Sequence, residues 1–374
     1  MKALEVLLGY GCNEKCLFCS QEVSWRRRPG LPFSLVAEQL YRAREDGFRS
    51  VCFTGGEPTL RPDLPKMAAL ARKLGFTYSR VQTNGVKLAE PAYAAELVAA
   101  GVNFFRVSLH GHTAKLHDEL VLVPGALAKA YRGIGNLQRL GVGIGINVVL
   151  NKRNFRELPA LCEEFLDRKF ANLVLIYPLF EGDMVAHEAE MSAPMSEMAP
   201  YVRAAFKIFE KRAQPLPRLL NFTPCAAPEL APWMLSWSAH SAFVVDGNGK
   251  PVDLYMASHD DRVKVEACSR CRLNEECLGF KRNYGARFPD ERLDAVRTVA
   301  ADAALGDTND TRVLARPKRA TGRPSALDLI ARAVFPVPES GGDSPLKVER
   351  IDVFLDEASL CIEEKRSQWE LTHA

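Results

Sequence analysis

Between residues 4 and 177 the apolar positions fall into short solid runs separated by longer amphipathic stretches. The runs lie at 4–8, 49–54, 76–83, 104–109, 142–150 and 173–177. They are rich in Val, Ile and Leu on both parities, the pattern of strands buried on both faces. The stretches between them (34–41 onward, 63–74, 91–100, 126–140 and 155–168) carry apolar residues at helical spacing. In the first of these, Ser34 is placed to cap a helix whose stripe is Leu35, Val36, Leu40 and Tyr41. Strand alternating with helix predicts an α/β fold, a parallel sheet with helices packed on it. Six strands are expected, each followed by a helix or helical loop.

The pattern changes beyond residue 180. Residues 180–192 read as a long loop with acidic and Met residues, and 197–212 as a helix. Pro215 and Pro217 mark a boundary, so the sheet domain is expected to end near 215. Two apolar runs, 242–246 and 252–255, flank Gly247-Asn248-Gly249-Lys250 and predict a hairpin. Residues 307–323 have few apolar positions and include Arg312, Arg316, Lys318, Arg319 and Arg323. Residues 336–345 are rich in Pro, Gly and Ser. Both segments read as solvated, flexible linkers. A helix at 325–334 and a strand pair within 348–364 are expected around them.

A chain of 374 residues allows one large domain and a smaller one, or two to three ordinary domains. Its 47% apolar content fills a sizeable core. The net charge of +3 gives no argument for nucleic acid. With no run of 18 apolar residues, no membrane span is expected. The first strand begins almost at Met1, which leaves no room for a cleaved signal. Ten cysteines, clustered at metal-type spacings, then favour reduced thiols in a cytoplasmic protein over disulfides.

The candidate chemistry starts at the end of the first strand, in LEVLLGYGCNEKCLFC. Cys12, Cys16 and Cys19 can converge on one metal centre. Structural zinc takes four ligands, and iron–sulfur clusters usually take four thiolates. Three thiolates on a cluster of four irons therefore leave one iron open. At the end of the second strand, Gly55-Gly56-Glu57-Pro58 combines two glycines that admit a close approach to the backbone with a carboxylate; an ordinary turn is the plainer reading. Polar residues gather at the strand ends: Thr54, Gln82, Thr83, Asn84, Ser108, His110 and Asn147. His110, His112 and His117 can serve as acid or base, but satisfying loop hydrogen bonds is the favoured role. The loop carrying Trp25, Arg26, Arg27 and Arg28 is read as solvated surface rather than as a border of the cluster. Cys225, Cys268, Cys271 and Cys277 form a second set around the hairpin, sufficient for one fully ligated 4Fe–4S cluster or a zinc site. Cys361 is a possible substitute for Cys225. Cys52 and Cys162 are expected in the core.

The loop spacing, Phe18 just before Cys19, and Gly55 to Pro58 together resemble the radical S-adenosylmethionine (SAM) enzymes. The resemblance implies a partial (β/α)6 barrel over 1–215, with its active site at the C-terminal strand ends. It implies a 4Fe–4S cluster on Cys12, Cys16 and Cys19, and Gly55, Gly56, Glu57 and Pro58 against the methionyl amino group of SAM. Ser108 and Asn147 become candidates for the SAM ribose and carboxylate, with Asn84 nearby. Residues 142–147, VGIGIN, differ in spacing from the family's fifth-strand glycine motif. Residues 216–290 resemble the shorter, twitch form of the SPASM auxiliary-cluster region, a small cysteine-rich α+β unit; 291–374 would be linker and extension. The implied activity is reductive cleavage of SAM to a 5′-deoxyadenosyl radical that takes a hydrogen from substrate. A peptide is the first candidate substrate and a small cofactor precursor the second, with flavodoxin or ferredoxin as reductant. A non-catalytic iron–sulfur sensor or electron relay is the alternative of another class, and the intact Gly-Gly-Glu-Pro argues against it.

Overall fold

The computed structural model describes residues 3–170, 172–236, 242–245, 251–253, 262–275, 277–288, 291 and 306–307. Strand and helix alternate from the start: β1 (Ala3–Leu7), α1 (Phe33–Glu45), β2 (Ser50–Thr54), α2 (Leu64–Lys73), β3 (Tyr78–Thr83), α3 (Pro91–Ala99) and β4 (Phe104–Ser108). Two helices follow β4, α4 (Ala114–Val121) and α5 (Ala126–Arg139), then β5 (Gly143–Val149), α6 (Leu158–Asp167) and β6 (Asn172–Ile176). β1 to β6 pair in parallel and in chain order. Their outward residues, such as Val6, Phe53, Val81, Phe105 and Ile146, meet Val36, Leu40, Met67, Leu97 and Leu161 of the helices in one core. The α/β half-barrel expected from the alternation is present.

The sheet extends past the six expected strands at both edges. β7 (Arg218–Leu220) adds in parallel to β6, beyond residue 215. After a two-residue strand β8 (Leu235–Ser236), β9 (Ala242–Val245) runs parallel to β1, with Ala3 opposite Ala242 and Val6 opposite Val245. β10 (Pro251–Asp253) pairs antiparallel with β9, as the hairpin signal predicts. The hairpin's turn, 246–250, lies outside the described residues, as do the segments expected at 325–334 and 348–364 and the basic run. β11 (Arg262–Val263) and β12 (Phe280–Lys281) form an antiparallel pair on either side of the second cysteine cluster.

Local expectations shift in three places. The helix cap position is Pro32, and Ser34 lies inside the first turn of α1 without capping it. The loop expected at 180–192 contains α7 (Asp183–Ala186) and α8 (Glu188–Met191) before α9 (Met195–Lys211). Its methionines are anchors: Met184 and Met191 are completely buried. Finally, the inner face of the sheet is not the uniformly apolar surface the composition suggests. Glu5, Cys52, Arg80 and Arg106 stand there, each two residues before the strand-end positions Leu7, Thr54, Gln82 and Ser108, and alternation puts each pair on one face.

Candidate functional site

The cysteine loop is held from three sides. At the end of β2, Gly56 N donates to Gly9 O and Glu57 N to Gly11 O, both at 2.8 Å. The approach is too close for side chains: a Cβ on Gly56 would lie 2.3 Å from Gly11 O, and one on Gly55 2.4 Å from Gly9 O. Gly55 also has φ +140°, a conformation that glycine adopts freely. The two glycines thus admit the cysteine loop itself. On the second side, Lys15 N and Leu17 N donate to Val121 O and Leu120 O at the end of α4. On the third, Met184 N of α7 donates to Cys19 O at 3.0 Å.

Glu57 is turned into the protein and is only 3% exposed. Its Oε1 accepts from Thr59 N, Thr59 Oγ1 and Thr83 Oγ1, and its Oε2 from Asn84 N at 2.7 Å. Burial raises its pKa, while these bonds act in the opposite direction. The carboxylate therefore ties the end of β2 to the end of β3. Glu57 and Pro58 line a cavity of about 160 Å³ that is flanked by Gly9, Tyr10 and Gly11 but by none of the loop cysteines.

The larger cavity, about 290 Å³, is lined by Cys12, Cys16 and Cys19 together with Gly55, Gly56, Thr54, Gln82, Thr83, Asn84, Ser108 and His110. Asn84 donates from Nδ2 to Asn13 Oδ1 at 2.6 Å, which links β3 to the cysteine loop. Asn147 is buried opposite Ser108 in the β4–β5 register but is not among the lining residues. His110 and His117 take the favoured role: Val149 N donates to His110 Nδ1, and His110 N to His117 Nδ1.

Two lining residues escape a sequence reading. Glu14 is 3% exposed, and its Oε2 accepts from the Cys16 thiol. Burial, followed by the Glu57 charge, pushes its carboxyl up to about 8. Arg26 departs from the reading of its loop as solvated, which holds for the exposed Ser24, Arg27 and Arg28. Its Nη1 donates to Glu14 O, and its Nη2 pairs with Asp183 Oδ2 at 3.1 Å, both side chains being largely buried. Only pairing in space reveals this, because Asp183 is 157 residues away.

The donor chemistry suits an iron–sulfur cluster. Burial pushes the Cys12 thiol up to about 12 and the Cys16 thiol well above its ordinary value. Such thiols stay protonated until a bound cation reverses the balance, since a coordinating thiol is deprotonated. The second set also comes together. Cys225, Cys268, Cys271 and Cys277 line one small apolar cavity of about 40 Å³ with Leu273 and Phe280. Cys361 lies outside the described residues. Among the described residues, no group of three or more His, Cys, Asp or Glu side chains closes to the spacing of a single-ion site. Cys162 is in the core as expected, whereas Cys52, though buried, accepts a hydrogen bond from Arg80 Nε at 3.0 Å.

Comparison with known proteins agrees with this geometry. The family model of the Radical SAM superfamily matches residues 6–165. A Fe-coproporphyrin III synthase of Methanosarcina barkeri is 30% identical over 178 residues, 46% of this chain and 42% of that protein. A probable GTP 3′,8-cyclase of Methanopyrus kandleri is 34% identical over 206 residues, 54% of this chain and 65% of that one. The chain thus spans about half the length of these curated relatives. Among solved structures, Streptococcus suis SuiB bound to precursor peptide SuiA superposes with TM-score 0.60 and 18% identity, over 79% of this chain and 74% of that one. Native anSMEcpe with bound AdoMet superposes with TM-score 0.59 and 18% identity, over 79% and 93%. At such identity the two structures speak for the fold. The matched stretch, the half-barrel and the three cysteines at its mouth lead to one statement: residues 6–165 form a radical SAM domain.

Proposed function

We propose that the protein cleaves SAM reductively at a 4Fe–4S cluster on Cys12, Cys16 and Cys19 and uses the product to abstract hydrogen from an organic substrate. The observation that carries this reading is a single cavity lined by all three loop cysteines and by polar groups from the ends of β2, β3 and β4. The cluster, when bound, supplies the electron that splits SAM into methionine and a 5′-deoxyadenosyl radical. The chain's own residues do the positioning. Gly55 and Gly56 seat the cysteine loop, and their backbone, with Thr54, Gln82, Asn84 and Ser108, offers hydrogen-bonding groups to SAM. Phe18, edge-on against the His110 ring at 4.5 Å between centroids, adds an apolar face to the lining. Asn147 would act through Ser108. Cys225, Cys268, Cys271 and Cys277 would hold an auxiliary 4Fe–4S cluster in a twitch-like region over 216–290, and a low-potential protein such as flavodoxin or ferredoxin would supply electrons.

For the substrate, the relatives at 30% identity and above carry the names of small-molecule synthases and cyclases. They support a small cofactor precursor. SuiB and anSMEcpe, whose structures include peptide complexes, support a peptide through the fold alone. The small-molecule reading therefore comes first.

The test is anaerobic reconstitution, reduction with dithionite in the presence of SAM, and chromatography for 5′-deoxyadenosine. Product in wild type and none in the Cys12→Ala/Cys16→Ala/Cys19→Ala variant supports the proposal. A loaded cluster with no 5′-deoxyadenosine turns the protein into a sensor or relay.

A further inference from the structure

Parallel barrels are normally filled by layers of bulky branched side chains. Below the cavity this barrel instead carries Glu5, Cys52, Arg80, Arg106 and Asn172. Backbone register sets them side by side: Glu5 opposite Cys52, Cys52 opposite Arg80, Arg106 opposite Gly145, and Gly145 opposite Asn172. One carboxylate faces two guanidinium groups. Arg80 takes it, with Nη2 2.5 Å from Glu5 Oε1. Arg106 is left with the neutral Asn172 Oδ1 at 2.5 Å and the ring of Phe104 at 5.3 Å. Among the described residues no carboxylate pairs with it. Cys52 adds no negative charge, because burial pushes its thiol up to about 11. The layer is therefore left with one excess positive charge.

The chain also makes room for that charge. A Cβ on Gly145 would lie 2.8 Å from Arg106 Nη1 and 2.3 Å from Asn172 Oδ1. Water reaches the layer, since the Arg80 and Glu5 side chains are 22% and 26% exposed. It stands one layer below the cavity, whose lining includes neither Arg80 nor Arg106. Arg106 is opposite Gln82 in the β3–β4 register, and Gln82 and Ser108 both line the cavity. A guanidinium presents a planar fork matched to carboxylate and phosphate, and a half-buried charge with no carboxylate partner calls for a counter-ion.

We propose that Arg106, backed by Arg80, is an anion subsite one side-chain layer below the lining of the cavity and takes a carboxylate or phosphate of the substrate. Assigning the anion to a substrate rests on the proposed function; binding of the anion does not need the cluster. The test is isothermal titration of the reconstituted protein with inorganic phosphate and, separately, with succinate, at constant ionic strength in chloride. Wild type binds one of the two saturably, and the preferred anion names the substrate group. Arg106→Gln weakens that binding at least tenfold, and Arg106→Lys weakens it less. Asn172→Asp, which supplies Arg106 with an internal carboxylate, also loses it, and keeps the test decisive if Arg106→Gln does not fold. SAM affinity stays within twofold of wild type in these variants. Absence of saturable anion binding in wild type, unchanged binding in Asn172→Asp, or a tenfold loss confined to SAM overturns the proposal. The triple cysteine variant keeps anion binding. Anion binding without 5′-deoxyadenosine in wild type would remove the enzymatic reading alone, whereas 5′-deoxyadenosine without anion binding would remove the subsite alone.

Discussion

Gly56 has no space for even a methyl group, because the carbonyls of Tyr10 and Gly11 lie 2.5 and 2.3 Å from where its Cβ would stand. Gly56→Ala must push the cysteine loop away. The expected outcome is a loss of about 1–3 kcal/mol in urea denaturation, with iron per chain falling in parallel. His117 yields a pH prediction. It is fully buried, and that burial lowers its pKa from 6.5 to about 4. The unfolded chain gains a proton below its own pKa that the folded chain refuses. Stability is therefore intact above about 6.5 and lost as pH falls toward 4, by up to roughly 3 kcal/mol. His117→Asn keeps an acceptor for His110 N, so its urea midpoint should decline less than wild type between pH 7 and 4.5. At this scale the convergence of the three loop cysteines with Gly55 and Gly56 on one cavity was legible because their motifs are local, whereas the separate cavity of Glu57 and Pro58 was not. Glu14 and Arg26 were not, since one is singled out by burial and the other by a partner far along the chain.

Whole elements were legible where length and apolar content coincide, as in β1 to β6 and α5. The three-residue β7 carries too little pattern to stand out, whereas β9 was legible as a hairpin strand and only its pairing with β1 was not. α7 is four residues long, too short to show a helical period, and α4 was masked by the histidines around it. The helical turn Arg282–Arg287 shows what joins the second cysteine unit to the barrel. Tyr284 is 2% exposed, its ring meets Tyr177, Phe180 and Phe288, and its hydroxyl accepts from Met195 N at 3.0 Å. Tyr284→Phe should cost about 1 kcal/mol, and Tyr284→Ala about 3–5 kcal/mol, both read from urea denaturation.

For the molecule as a whole, the two cysteine sets make a countable prediction. Cys225→Ser should remove about four irons per chain while Cys361→Ser removes none, if Cys225 completes a second cluster of four irons. Sulfide and iron assays on reconstituted protein decide it. Among the described residues no helix is long and apolar enough to cross a membrane. The pairing of β9 with β1 joins residues 242–245 to residues 3–6, so during synthesis β1 waits for a strand made much later. At roughly 5–20 residues per second the interval is about 10–50 s. Throughout it, the outer edge of β1 offers unpaired backbone groups, with the cysteine loop directly behind. A ribosome that stalls before residue 242 leaves a nascent chain that is sticky at its sheet edge and carries the three thiols of its cysteine loop on an unfinished scaffold. Synthesis rate and iron supply therefore bear on the yield of intact protein together.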